Sequence, residues 1–180
     1  MTKFALMVSN SKAKPIQSFR LQTNGTLLHI HNLDDLRNAG INKITVSIDT
    51  VDPEIHKEIR GGSDLNKILT NIKNLKRDWP EARVEFITTV NTRNIKKLDD
   101  LCKYAIDNQI STIEFRQMFY VEKSKVIKDH EKMKSLLLTN SEFDASMEEL
   151  FQKYRNSLTF YVNDSESMEK HKSNQKVKTT

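Results

Sequence analysis

An α/β fold built on a parallel sheet is what this 180-residue sequence predicts, and three observations carry it. Apolar and polar residues alternate in short runs at 19–23, 43–49, 84–90 and 112–118, the two-residue period of strands. The segments between those runs place apolar residues three and four apart, as one-sided helices do. Each strand-like run leads through helical sequence to the next, which calls for right-handed crossovers between parallel strands.

Taken in order, residues 4–8 have the pattern of a short strand and 9–15 that of a loop. The run 19–23 stops at Asn24-Gly25, a turn signal. Leu33, Leu36 and Ala39 predict a helix, with Gly40 where a helix C-terminus favours glycine. The strand 43–49 sets Ile44, Val46 and Ile48 on one face and Thr45, Ser47 and Asp49 on the other. Asp52-Pro53 then opens a short helix reaching about residue 59, with Asp as cap and Pro at the first helical position. Gly61-Gly62 breaks the chain. Ser63 or Asp64 caps the next helix, whose stripe is Leu65, Ile68, Leu69, Ile72 and Leu75, and Trp79-Pro80 ends it. After the strand 84–90, Asn94 is placed to cap a helix marked by Ile95, Leu98, Leu101, Cys102, Ala105 and Ile106. Beyond Tyr120 the rhythm changes. Phe143, Met147, Leu150, Phe151 and Tyr154 predict an amphipathic helix with Ser141 and Asp144 as a capping box. Residues 158–162 suggest one more strand, and from 164 the apolar residues needed for a core run out.

The bulk composition narrows the function classes. Hydrophobic residues make up 37% and the net charge is +5. The excess lysines are scattered along helices and in the tail (Lys170, Lys172, Lys176, Lys178), so a solvated surface explains them better than a nucleic-acid site. No apolar run approaches membrane-spanning length. A single cysteine excludes an internal disulfide and suits a reducing, cytoplasmic setting.

In a parallel sheet the C-terminal strand ends share one edge, where α/β proteins bind ligands. Thr23-Asn24, Ser47 to Asp49, Thr89 to Asn91 and Gln117-Met118 all fall there, and all are polar or soft. With Leu21-Gln22-Thr23-Asn24-Gly25-Thr26-Leu27-Leu28, Gly40-Ile41, Val46-Ser47-Ile48-Asp49, His56, Arg60-Gly61-Gly62, Asn71-Ile72 and the Asn91 to Asn94 turn, the sequence resembles the radical S-adenosylmethionine (radical SAM) superfamily over roughly residues 17–120.

The resemblance implies a partial (βα) barrel, parallel strands with helices outside. This chain would hold the third to sixth strands (19–120), an atypical segment 1–18, a C-terminal helical extension 121–163 and a tail 164–180. It implies S-adenosylmethionine contacts from Ser47 and Asp49 to the ribose and methionyl part, and from Arg60 to the methionine carboxylate. Val90 or Asn91, and Gln117 or Met118, would flank the adenine; Asn91 and Met118 are the candidates kept. Thr23 and Asn24 would face substrate. A 4Fe-4S cluster held by Cys-x3-Cys-x2-Cys belongs to the family, but the chain's one cysteine, Cys102, lies on a core-facing helical stripe and reads as a packing residue. The Gly-Gly-Glu motif that binds the methionine amine is also absent.

Other constellations favour structural roles. His29, His31 and His56 lack the further ligands a zinc site needs, and exposed histidines are expected. Asp34-Asp35 and Asp99-Asp100 sit early in helices, where acidic groups meet the dipole. Gly61-Gly62 lacks the flanks of a phosphate loop. No Ser-His-Asp arrangement is recommended by spacing. The expectation is a fragment or split part of a radical SAM enzyme, inactive alone, that binds S-adenosylmethionine and works with a complementary chain carrying the cluster motif. The rival is a non-catalytic half-barrel that binds a nucleoside or serves as a scaffold. An ordinary cluster-free barrel enzyme finds no acid–base constellation.

Overall fold

The computed structural model describes residues 19–120 and 128–163. The expected strand at 4–8 and the tail from 164 lie outside them. Five parallel strands form one sheet in the order β1 (Phe19–Thr23), β2 (Ile41–Ser47), β3 (Arg83–Val90), β4 (Thr112–Gln117) and β5 (Thr159–Asn163). Between them come α1 (Leu33–Asn38), α2 (Pro53–Arg60), α3 (Leu65–Asp78), α4 (Leu98–Asp107), α5 (His130–Ser135) and α6 (Asn140–Tyr154). Chain order equals sheet order, as the repeated β–α alternation predicts. β1 is an edge strand among the described residues, as expected.

Register settles which side chains share a face. Thr23, Val46, Phe86, Ile113 and Phe160 stand in one row across the sheet. On this face α3 reaches Val46 through Ile68 at the Gly25 turn, α4 stacks Tyr104 on Phe86 with ring centroids 6.3 Å apart, and α6 lays Met147 and Phe151 beside Phe115 and Phe160. One buried cluster runs from Leu36 and Ile44 through Ile72, Phe86, Leu101 and Phe115 to Phe143 and Leu158. Each fully buried side chain of this kind contributes about 1.5–3 kcal/mol over leaving it in water. The core therefore passes from the expected barrel segment into the extension without a break, and β5 joins the same sheet.

The opposite face is polar and charge-paired. Arg20 Nε donates to Thr45 Oγ1 at 2.7 Å, Lys43 pairs with Glu85 at 2.6 Å, and Glu114 accepts from Arg116 and Asn163, each at 2.7 Å. Parallel sheets are ordinarily covered on both sides. A face carrying this many ions is unsuited to an apolar helical layer and suited to polar occupants.

Local signals resolve as follows. Asp52 caps α2, accepting from Glu54 and Ile55 N–H at 3.0 and 3.1 Å, with Pro53 behind it. Of the two candidates before α3, Asp64 is the cap; Ser63 bonds His56 instead. The box at α6 is Thr139 with Glu142, two residues before the expected Ser141–Asp144, because Thr139 is the last extended residue. Asn94 makes no cap: a 3-10 turn, Ile95–Lys97, precedes α4, and the Asn94 side chain is engaged elsewhere. The short helix α5 carries no buried residue and no periodic stripe that the sequence could reveal. Gly25 stands at φ +81°, where a Cβ would lie 2.9 Å from Ile68 Cγ2, so the turn after β1 needs glycine.

Candidate functional site

The C-terminal strand edge is assembled from the turn after β1, the end of β2, helix α2 and the end of β3. Ser47 and Asp49, two apart on β2 and its extension, continue the polar face of Lys43 and Thr45. Ile48 N–H still donates to Ile87 O at 3.0 Å, so the ladder reaches past the strand's formal end and fixes Asp49. Helix α2 crosses the edge and ends at Arg60, where Gly61 turns the chain at φ +62°. Arg60 Nε donates to Asp49 Oδ2 at 2.7 Å, and Nη2 donates to Ser47 Oγ at 2.9 Å. Asp49 Oδ1 accepts the Thr89 N–H at 2.9 Å, tying this group to β3. Three of the expected contacts, Ser47, Asp49 and Arg60, are thus one bonded cluster.

Behind it stands an amide lock. Asn94 is fully buried; its Nδ2 donates to Asp49 O at 2.8 Å and Thr89 O at 2.9 Å, and its Oδ1 accepts Asn91 N–H at 2.8 Å. Thr88 Oγ1 donates to Ile48 O at 2.7 Å. These bonds hold the ends of β2 and β3 at fixed separation. Asn71, on α3, places its Nδ2 2.9 Å from Gly25 O and 3.1 Å from Thr26 O, anchoring the turn after β1.

His56 is buried, against the expectation of an exposed histidine: four residues before Arg60, it shares the α2 face that Arg60 turns toward Asp49 and Ser47. Its Nε2 lies 2.8 Å from Ser63 Oγ, and Nδ1 is buried with no partner among the described residues. Burial, and then the Arg60 charge, push its pKa below the ordinary histidine value.

Two expected contacts also take part in turns. Thr23 shares a row with Val46, and its hydroxyl accepts Gly25 N–H at 3.1 Å. Asn91 is buried, and its Oδ1 accepts Arg93 N–H at 2.9 Å. Gln117 also faces the helices, donating to Leu138 O. Asn24 is exposed, its Oδ1 accepting from Thr26 N–H and hydroxyl, with Nδ2 outward. Met118 extends β4 through its N–H to Val90 O at 2.9 Å and stays half-buried at the edge. Asn24, Ser47, Asp49, Thr89 and Met118 lie at the C-terminal ends of β1 to β4, with Arg60 at the end of α2 bonded to two of them; Asn24 is exposed and Asp49 is buried. Reasoning from sequence missed Asn94, Asn71 and the inward turn of His56; the four-residue spacing of His56 and Arg60 was the one available signal.

Cys102 lies on α4, wholly buried under the helix layer, with its thiol pushed up to about 12 by desolvation and next by the Asp99 charge. Cys102 stands within α4, among the buried side chains Leu98, Leu101 and Ala105 and away from the C-terminal strand ends. Asp99 itself accepts from Lys103, Lys153 and the Tyr154 hydroxyl, which hold its carboxyl well below the usual range and tie α4 to α6. Among the described residues there is no group of three or more metal-ligating side chains, and no helix is long and apolar enough to cross a membrane.

The family model described as the Radical SAM superfamily matches residues 1–105, including the segment 1–18 that sequence reasoning set apart. The chain is 33% identical over 103 residues to a probable GTP 3′,8-cyclase of Methanocaldococcus jannaschii, covering 56% of this chain and 33% of that protein. It is 28% identical over 145 residues to the GTP 3′,8-cyclase of Alkaliphilus metalliredigens, covering 81% of this chain and 43% of the relative. The chain thus spans less than half the length of these relatives. Among solved structures, Streptococcus suis SuiB bound to S-adenosylmethionine superimposes with a TM-score of 0.61 at 12% identity, covering 81% of this chain and 32% of that one. Coproporphyrinogen III oxidase from Escherichia coli gives 0.56 at 12% identity, covering 78% and 32%. Both are likenesses of fold.

Proposed function

The chain belongs to the radical SAM superfamily, and from that premise we propose that its C-terminal strand edge is the S-adenosylmethionine-binding wall of a radical SAM enzyme whose cluster-bearing part lies outside this chain. The observation that supports it is the bonded group of Ser47, Asp49 and Arg60 at the strand ends, beside a sheet face too polar to be packed by apolar helices. Arg60 supplies a cation for the methionine carboxylate, and its planar fork matches such a group better than a lysine does. Asn24, Thr89 and Met118 lie at the ends of the neighbouring strands. The bound cofactors of the family supply a carbon radical for hydrogen abstraction; this chain's residues bind and orient the nucleoside. The thiolates come from a complementary chain or chain segment; among the described residues β1 is an edge of the sheet.

Anaerobic incubation of the purified chain with iron(II) and sulfide tests this reading. The expected result is no stable cluster absorbance and no S-adenosylmethionine cleavage, with retained S-adenosylmethionine binding. A stable cluster that cleaves S-adenosylmethionine in the chain alone would contradict it.

One observation favours a second reading, a binding module without catalysis. One continuous buried cluster spans the strands and helices of the described residues, as in a protein that folds on its own. A cooperative monomer that binds S-adenosylmethionine and gains no activity from any cluster-bearing partner would support that reading over the first.

A further inference from the structure

We propose that Asp49 is a positioning residue: it holds the Arg60 guanidinium so that the outer fork of Arg60, not Asp49, meets the bound ligand, which is read through its carboxylate. The inference rests on the S-adenosylmethionine reading above and changes the role of Asp49 within it.

Both oxygens of Asp49 are already used. Oδ2 accepts Arg60 Nε–H at 2.7 Å and Oδ1 accepts the Thr89 N–H at 2.9 Å. Its side chain is 4% exposed, against 28% for Arg60. A carboxylate that recognises ribose must present oxygen lone pairs to hydroxyl donors in the opening; this one is turned into the protein and covered. Arg60 is the reverse case. A guanidinium carries five N–H donors in a fixed plane. Nε and Nη2 lie along one edge of that plane, and this edge is spent on Asp49 and Ser47. One N–H of Nη1 and the second N–H of Nη2 form the end-on edge, and no described residue accepts from Nη1. That free edge is the donor pair that binds a carboxylate in parallel, two-point fashion.

The surroundings strengthen the assignment. Arg60 is the last residue of α2, at the negative end of the helix, where a ligand carboxylate needs a fixed cation beside it. Four residues earlier His56 is buried and held toward its neutral form, so it adds no competing charge. Asp49 is itself locked by Asn94, which grips its carbonyl, and by Thr89. The chain of support runs from the buried amide of Asn94 to Asp49 and from Asp49 to Arg60.

Two probes separate the roles. S-adenosylmethionine carries a carboxylate; 5′-methylthioadenosine carries the same adenine, ribose and sulfur without one. Equilibrium dialysis of each against the wild-type chain, Asp49→Asn and Arg60→Ala measures the affinities. The inference expects Asp49→Asn to weaken S-adenosylmethionine by about tenfold or more and 5′-methylthioadenosine by less than about twofold. It expects the double variant to bind no worse than Arg60→Ala, since both act through one group. Equal weakening of the two probes by Asp49→Asn would place Asp49 on the ribose and overturn the inference while leaving the binding reading intact. Unchanged affinity for both probes would overturn it too. Failure of the wild-type chain to bind S-adenosylmethionine would remove the reading itself, and this inference with it. A measurement on the unsubstituted chain stands apart from any folding defect of the variants. On titration with S-adenosylmethionine, the Arg60 Nε–H resonance keeps its position and protection while the Nη resonances shift. Loss of the Nε–H protection on binding would show that Asp49 lets go, and would overturn the proposal.

Discussion

Replacing Asn94 with alanine removes the lock between the ends of β2 and β3, and its cost follows from three bonds. Two carbonyls, Asp49 O and Thr89 O, lose a donor, and the Asn91 N–H loses its acceptor, all at a side chain with no solvent exposure. At about 1 kcal/mol net for each bond, the loss is about 3 kcal/mol. For a chain of this size, that lowers the melting temperature by about 6–12 °C. A helix N-cap in the same place would be worth only about 1 kcal/mol. Urea unfolding of wild type and Asn94→Ala separates the two roles, provided the slope with denaturant is unchanged. Asn94→Asp keeps the acceptor for Asn91 and loses both donors, so it falls between wild type and Asn94→Ala or below. A loss of about 1 kcal/mol or less for Asn94→Ala would refute the strand-end lock and restore the cap.

Further outcomes follow from the same geometry. His56 has a lowered pKa when folded, so the unfolded chain binds its proton first as pH falls. Its contribution is fully present above the ordinary histidine value of about 6.5 and declines as pH drops from there toward the lower folded value. Arg60 opposes its protonation and Asp49 and Asp64 favour it; the difference in stability between wild type and His56→Gln, followed by urea unfolding across that window, shrinks on acidification, and a difference that grows would contradict the assignment. Cys102, with its thiol near 12, resists iodoacetamide in the folded chain and reacts in urea; fast labelling of the folded chain would show the burial to be wrong. Gly25→Ala meets both a left-handed backbone and the Ile68 Cγ2 contact, and loses at least about 2 kcal/mol in the same unfolding assay. A neutral substitution there would show that the turn after β1 is not as tight as drawn.

The legible parts of this fold are those with a period. Alternation at Ile44, Val46 and Ile48 against Thr45, Ser47 and Asp49 gave both the strand and its two faces, and register across the sheet carried the same division to β3 and β4. The resemblance marked Asp49 and Arg60 as separate cofactor contacts; their pairing with each other across eleven residues was not legible, since no local rule links a helix end to the strand before it. Asn94 was misread because an asparagine ahead of a helical stripe looks alike whether it caps the helix or is buried against two strand ends. For Thr23, register adds what alternation at a strand end leaves open: it stands in the row of Val46. The capping box moved to Thr139 because two candidate hydroxyls two residues apart differ only in where the backbone first turns helical.

Chemical-shift mapping of the chain with S-adenosylmethionine tests the central claim most directly. The account predicts saturable shifts that gather at Asn24, Ser47, Arg60, Thr89 and Met118, on one edge of the sheet, with the α4–α6 side around Asp99 unmoved. Saturable binding with shifts centred on Asp99 and α6, or no binding at millimolar ligand, would contradict the assignment of this edge.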